Sequence, residues 1–308
     1  MLYYIFANDI NIGDLISYYG IKKLLKLEGM CLFCDKYYVR NTKKILKRAE
    51  KDDFFIIGGG GLFKDYFMPL WNQIYKNRKN TNYILWGIGL NEDKIDDSHL
   101  HRYIKNIKKR NNMIKWYDIV KYSKISSFRD LNTYKYFSNI SNIHLTGCPS
   151  INFLLDYYKL NDKKNKKYLL QSCHTTLLNR NEKRYLDNML PKIAKKMSLE
   201  YIYTDNNLNN LDFENILNVY KSSEITVSSR LHGCIIALCF GSNLLAISKN
   251  WKIEGFLNLI KSNDVICDFY ELKNKLSNIK NQKKAFNKLN EIKKNNINFS
   301  KKVLEIIN

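Results

Sequence analysis

Read for its apolar and polar positions, the chain alternates short apolar runs with longer amphipathic ones. Leu2 to Phe6 has the length of a buried first strand and ends in a polar, turn-rich loop, Asn8-Asp-Ile-Asn-Ile-Gly-Asp14. Apolar residues then recur at helical spacing (Leu15, Ile16, Tyr19, Leu24, Leu25), which predicts a helix from Leu15 to Glu28. Asp14 lies near its start, where the ordinary role of an aspartate is to cap. A short strand around Leu32 and a basic helix from Thr42 to Lys51 follow. Phe54-Phe-Ile-Ile57 reads as a parallel-sheet strand running straight into Gly58, Gly59, Gly60 and Gly61. Tyr83 to Gly89 repeats the strand-then-glycine arrangement, and a helix is expected from Leu100 to Lys109. Lys124-Ile-Ser-Ser-Phe-Arg-Asp130 is a further strand with a helix behind it, Leu131 to Phe137. Ile143 to Ser150 closes this half, with Pro149 forcing an extended exit.

The polar stretch from Tyr158 to Lys167 reads as a linker, after which the alternation restarts. Strands are expected at Tyr168 to Gln171, Glu200 to Tyr203, Ile225 to Val227 and Leu244 to Ile247. Helices are expected at Glu182 to Met197, Phe213 to Ser222, the apolar run closing on Gly241, and Ile253 to Ile260. The tail from Tyr270 reads as one or two Lys/Asn-rich amphipathic helices. Repeated β/α order on both sides of the linker predicts an α/β protein of two doubly wound, Rossmann-like domains facing across a cleft. Residues 1–157 would form the N-terminal domain with the glycine loop. Residues 158–308 would form the C-terminal domain with its terminal helices.

Composition narrows the classes. The 308 residues include 51 Lys+Arg against 29 Asp+Glu, a formal charge of +22. That balance suits an anionic partner, but the lysines are spread along the chain and not gathered in one arm, so nucleic-acid binding is not expected. Basic helices could hold the protein near an anionic membrane. No apolar run is long enough to span a bilayer, and the N-terminus lacks the basic start and cleavage site of a signal peptide. A soluble, cytoplasmic protein is expected. The seven cysteines show no disulfide-framework spacing, and Cys31-x-x-Cys34 lacks the second pair that a structural zinc site needs. No metal-ligand cluster is visible.

The candidate chemistry sits at strand ends, the edge where open α/β sheets bind ligands. Asn11, Gly13 and Asp14 follow the first strand. The four glycines follow the third; their backbone can come close to a ligand in a way no other residue allows. They are neither a P-loop nor a dinucleotide fingerprint, because the Gly-Lys-Ser/Thr and the glycine spacing are absent. Arg129 ends a strand, with a salt bridge to Asp130 as its plain structural role. Ser229, Arg230 and His232 stand at a strand-to-helix turn. Lys252 follows the next strand, Leu244 to Ile247. Arg129, Arg230 and Lys252 could converge on one small, highly charged anion, with His232 handling a proton because its unperturbed pKa lies near working pH.

At these residues the sequence resembles the polysaccharide pyruvyl transferases. The matching elements are Asn11-Ile-Gly-Asp14, Gly58-Gly-Gly-Gly-Leu62, Ser127-Phe-Arg-Asp130, Gly147-Cys-Pro-Ser150 and Ser229-Arg-Leu-His-Gly233, with Gly241 and Lys252 after them. They run in the family's order over most of the chain from Asn11 to about Phe256. Two departures are visible: Lys249-Asn-Trp stands before Lys252, and Asn243 replaces a frequent proline. The resemblance implies a GT-B-like fold and transfer of pyruvate from phosphoenolpyruvate onto a glycan, free or lipid-linked, as a ketal. It associates Arg129, Arg230, His232 and Lys252 with the donor or with catalysis, and implies no cofactor beyond that co-substrate. The expected roles are His232 as proton donor or relay and Asp14 as a stabiliser of cationic character or acceptor of a hydroxyl proton. Two other readings stay open: a glycosyltransferase using a nucleotide sugar, and a non-catalytic polyanion-binding protein.

Overall fold

The computed structural model describes residues 1–91, 99–160, 166–173, 178–248, 251–279 and 283–308, with the backbone alone for 99–109, 158–160 and 283–284. The first half is β1 (Leu2–Phe6), α1 (Ile12–Leu25), β2 (Met30–Phe33), α2 (Val39–Lys47), β3 (Phe54–Gly58), α3 (Met68–Asn77), β4 (Asn82–Ile88), α4 (His99–Tyr122), β5 (Ile125–Phe128), α5 (Leu131–Tyr136), β6 (Ile143–Leu145) and α6 (Ser150–Leu160). The second is β7 (Tyr168–Ser172), α7 (Arg180–Lys196), β8 (Glu200–Tyr203), α8 (Phe213–Lys221), β9 (Ser223–Ser228), α9 (Leu231–Cys239), β10 (Asn243–Ile247), α10 (Trp251–Leu259), β11 (Ile266–Cys267), α11 (Leu272–Ser277) and α12 (Lys283–Ile307).

The expected strands are all present, most within a residue of their predicted ends. Apolar periodicity left α3, α6 and β11 unassigned. Pro69 stands in the first turn of α3, where its missing N–H costs nothing, so it starts that helix instead of breaking it. Pro149 likewise precedes α6 directly. β11 is two residues long and has no period to read. The helix expected at Leu100 to Lys109 extends to Tyr122, and the one expected at Thr42 starts at Val39. Of the expected linker, residues 161–165 lie outside the described residues, as do Lys249 and Asn250 of the loop before Lys252.

Both sheets are wholly parallel and share one winding. The first runs β2-β1-β3-β4-β5-β6 and the second β11-β10-β9-β7-β8, so each is built outward from its first strand with its second on one side and its third on the other. The direction of winding reverses between β1 and β3 in one sheet and between β7 and β9 in the other. These are the topological switch points at which such sheets open a crevice.

Strand side chains alternate between two packed layers. Tyr3, Ile5, Phe55, Ile57, Tyr83 and Leu85 face one core with α3 and α4; Tyr4, Phe6, Ile56, Ile84 and Trp86 face another with α1. Burial on both faces explains why these strands read as continuous apolar runs. A third core joins the halves: Ile12 and Ile16 of α1 and Ile151, Leu154 and Leu155 of α6 pack with Leu231, Ile235 and Leu238 of α9.

The last helix crosses this junction. Ala285, Leu289 and Ile292 belong to the joining core, whereas Phe299 and Val303 pack on the first sheet beside Tyr4, Tyr18 and Trp86. In space, therefore, the C-terminal segment returns to the N-terminal half. The buried positions 285, 289, 292, 296, 299 and 303 follow steps of three and four, one face of a helix. In their midst Asn296 is fully buried. Its Oδ1 accepts from Trp86 Nε1 at 2.8 Å, and its Nδ2 donates to the Thr146 carbonyl at 2.9 Å. Replacing it leaves a buried indole N–H and a buried carbonyl unpaired. Asn296→Ala is therefore expected to lower the unfolding free energy by about 2–3 kcal/mol in denaturant titrations.

Candidate active site

The site begins in the loop after β1. Asn8 Oδ1 accepts the N–H groups of Ile10 and Asn11, and Asn11 Oδ1 accepts that of Gly13 at 2.9 Å. Asn11 is thus the cap of α1, taking the role expected of Asp14. This loop is tied to the opposite half by backbone: Ile12 N–H donates to the Asn206 carbonyl at 3.1 Å, and Leu208 N–H to the Ile10 carbonyl at 2.8 Å. The start of α1 consequently meets the start of α9. A Cβ on Gly13 would lie 2.1 Å from His232 Nδ1, so only glycine lets the imidazole rest against this turn.

One cavity of about 160 Å³ opens at the junction, lined from both halves. Asn11, Asp14, Gly61, Arg129, Ser229, Arg230, His232 and Lys252, scattered over the chain, all line it. Gly13 backs the imidazole without lining it. Gly58 and Gly59 pack against Trp86 and Ser17, and Gly60 against Asp14 Oδ1. Most of the glycine run thus makes room for neighbouring protein groups, and only Gly61 reaches the cavity. Absent from the sequence reading were Asn91, Asn206 and Phe67, which also line it, and Ser17 beneath His232; Cys148, quoted only within the Gly147-Cys-Pro-Ser150 element, stands beneath the imidazole as well. Asn91 and Asn206 sit in polar loops with no period or spacing to mark them.

The cations are held without full compensation. Arg129 is 2% exposed, its guanidinium seated where Cβ atoms on Gly61 or Gly89 would collide with it. Its Nε stands 4.0 Å from Asp130, the outer limit of an ion pair. Asp130 is engaged elsewhere, accepting from the backbone N–H and hydroxyl of Thr133 as the cap of α5. Arg129 Nε and Nη2 and Arg230 Nε are buried with no hydrogen-bond partner. Lys252, in the first turn of α10, donates to Asn91 Oδ1 at 3.0 Å; its charge there opposes the helix dipole. Buried, unsatisfied guanidinium N–H groups are costly unless an anion completes them.

Two titratable groups respond. Burial raises the Asp14 carboxyl to about 7, against the pull of Arg129, Lys252 and Arg230, which lower it. Burial and the same three cations push His232 well below its ordinary value. The expectation that His232 titrates near neutrality is therefore corrected: the imidazole is neutral there, because desolvation and cationic neighbours act in the same direction. Ser17 gives its hydroxyl hydrogen to the Gly13 carbonyl at 2.8 Å and stands 3.3 Å from His232 Nε2. The Ser17 oxygen can thus accept from an Nε2–H, while Cys148 Sγ stands 3.7 Å from the same nitrogen.

Asn206 is 2% exposed and left-handed, with φ of 59°. Its Oδ1 accepts from the Tyr220 hydroxyl at 2.9 Å, while its Nδ2 has no partner. Another buried donor thus lines the same cavity. Among the described residues no group of three His, Cys, Asp or Glu is placed to hold a metal ion, and no helix is long and apolar enough to cross a membrane.

These features define a two-domain, GT-B-like α/β protein with a cavity lined by Arg129, Arg230 and Lys252 at facing switch points. Solved structures of that fold include UDP-GlcNAc 2-epimerase of Methanocaldococcus jannaschii in complex with UDP-GlcNAc and UDP (TM-score 0.58, 11% identity, 92% of this chain and 93% of that one). Another is MnaA of S. aureus with UDP (TM-score 0.54, 11% identity, 94% and 90%). A functionally uncharacterised protein of Klebsiella pneumoniae aligns at 19% identity and TM-score 0.50 over 86% and 91%. At these identities the likeness concerns the fold alone. No curated protein matches the chain significantly. Residues 11–250 match the model of the polysaccharide pyruvyl transferase family, and the chain belongs to that family.

Two outcomes follow from the geometry. Gly13→Ala is expected to displace the His232 ring, seen as a shifted imidazole resonance, and to cut turnover roughly 100-fold or more, the usual cost of about 1 Å of misplacement. For Asp14, the folded carboxyl keeps its proton to about pH 7, whereas the unfolded one loses it near 3.8. Its contribution to stability therefore falls as pH rises between those values. Asp14→Asn should unfold at higher temperature than wild type at pH 8, with the difference vanishing below about pH 4, as followed by calorimetry.

Proposed function

We propose that the protein transfers pyruvate from phosphoenolpyruvate to a sugar of a polysaccharide or its precursor, forming a ketal. The observation that carries this reading is the set of buried, unpartnered guanidinium N–H groups of Arg129 and Arg230 around one small cavity with Lys252. A carboxylate and a phosphate on one small carbon skeleton supply the oxygens that three cations need. The cavity volume also favours a three-carbon ester. Sites for larger ligands run to about 300–1,000 Å³, whereas this one is about 160 Å³.

The chemistry requires a proton on the methylene carbon of the enol phosphate, which leaves cationic character at the central carbon. One sugar hydroxyl adds there and loses its proton. The carbon–oxygen bond to phosphate then breaks, and a second hydroxyl of the same sugar closes the ketal. One hydroxyl proton restores the acid and the other departs with phosphate. Asp14, with a pKa near 7, suits the acid, and neutral His232 suits the base that receives the hydroxyl proton. This exchanges the two roles expected from sequence. Arg129, Arg230 and Lys252 neutralise the carboxylate and the departing phosphate, with Ser229 on the donor side. Phosphoenolpyruvate is the co-substrate. The reading places the reaction in the cytoplasm, on an acceptor that is free or lipid-linked at the inner membrane face.

Neutralising the three cations also removes their pull on Asp14, so donor binding raises its pKa above 7 and loads it with a proton. Phosphoenolpyruvate is therefore expected to raise the melting temperature and to bind with proton uptake at pH 7, detected calorimetrically in buffers of different ionisation enthalpy. Arg129→Ala should abolish both effects. Stabilisation by a nucleoside diphosphate, with none by phosphoenolpyruvate, would establish a nucleotide-sugar transferase instead.

A further inference from the structure

Beside the cavity lies a group of aromatic side chains with no part in donor chemistry. Tyr37 is 74% exposed, Tyr38 48% and Tyr66 44%. They sit on the β2–α2 loop and on the turn before α3, which leave the sheet at the carboxyl ends of β2 and β3. That is the edge on which the cavity opens. Isolated exposed aromatics are common, but a contiguous group beside a functional cavity marks a contact surface.

The group is continuous with the cavity. Phe67 lines it, and the Tyr66 ring meets Phe67 edge-on with centroids 4.9 Å apart. The Tyr66 hydroxyl accepts the Lys36 N–H at 3.3 Å, and the Lys36 ammonium lies 4.7 Å over the Tyr37 ring. The loop beneath is fixed from below. Buried Asp35 accepts the N–H groups of Tyr37 and Tyr38 at 3.0 and 3.2 Å, and its own N–H donates to the carbonyl of Ala7, a cavity-lining residue, at 3.1 Å. Tyr38 rests edge-on against Phe33. Rings this exposed add little to the core, yet the backbone presenting them is held at each step. Rigid, amphipathic rings on an ordered loop are what recognition by stacking needs, because little freedom is lost on binding.

We propose that Tyr66 and Tyr37, with the Lys36 ammonium between them, form the acceptor platform: a carbohydrate subsite leading outward from the cavity, on which glycan units beyond the pyruvylated sugar stack. The proposal rests on the pyruvyl-transfer reading for its choice of occupant. A pyranose ring has an apolar C–H face and a rim of hydroxyls. Tyrosine offers the matching apolar face, and the phenol groups and the Lys36 ammonium offer partners for the rim. Tyrosine and lysine also suit a bilayer surface. However, a membrane-bound element presents Leu, Phe or Trp along a helix face, whereas these rings lie on two turns and continue into the cavity.

The test uses Tyr37→Ala/Tyr66→Ala and Tyr66→Phe in the full chain, on a printed array of hexose and N-acetylhexosamine oligosaccharides, with phosphoenolpyruvate affinity measured separately by calorimetry. The double variant is expected to bind the oligosaccharides that wild type binds about tenfold more weakly or worse, with unchanged phosphoenolpyruvate affinity and melting temperature. Tyr66→Phe, which keeps the ring, should retain most of the binding. The platform is refuted if the double variant binds glycans like wild type, or if wild type binds none of the array. It is equally refuted if the variant loses binding to anionic phospholipid vesicles while its glycan affinity is unchanged. Failure of wild type to bind phosphoenolpyruvate would count against the donor reading alone, because the glycan measurement does not depend on it.

Discussion

The structure depends on one packing constraint: the start of α1 in the first half is held against the start of α9 in the second. Apolar side chains of α1, α6 and α9 share a core across the junction, and α12 straps its outer side. Two backbone hydrogen bonds, from Ile12 to Asn206 and from Leu208 to Ile10, pin the loops themselves. Domains joined by small polar surfaces move readily, whereas a continuous apolar core resists such motion. Gly13 is where backbone and imidazole meet with no room to spare.

The cavity at this junction is electrostatically unbalanced. The fold buries Arg129, holds Arg230 and Lys252 half-buried beside it, and leaves N–H groups of Arg129, Arg230 and Asn206 partnerless, which would destabilise an ordinary interior. Asp130, the nearest carboxylate to Arg129, is engaged in capping α5 and answers only weakly. Burial makes Asp14 a weaker acid and, with the cations, makes His232 a weaker base, so both groups are shifted towards their uncharged forms. Such departures from ordinary packing rules concentrate where a protein binds or reacts.

Much of this was legible in the sequence. Strands buried on both faces must be apolar throughout, and helices between them must show period-3.6 patterns, so the β/α alternation and the two doubly wound domains could be read directly, while the GT-B-like class came with the family resemblance. The ligand edge could be read too, because strand ends followed by glycine, serine or arginine stand out against apolar runs. Helices opened by proline, α3 and α6, were missed because proline is read first as a breaker. Asn206 and Asn91 were missed because an asparagine in a polar loop is indistinguishable from a solvated one until its partners are known.

The order of elements, the residues at each strand end and the family membership were determined by the sequence alone, because they depend on local period and on motif identity. Only the tertiary structure decided that Asn11 and not Asp14 caps α1, that the glycine run mostly seats side chains, and that the C-terminal helix crosses back to the first sheet. It alone decided the state of Asp14 and His232 as well. A pKa is set by burial and by charges brought near from distant parts of the chain, and neither quantity exists before the two sheets are packed.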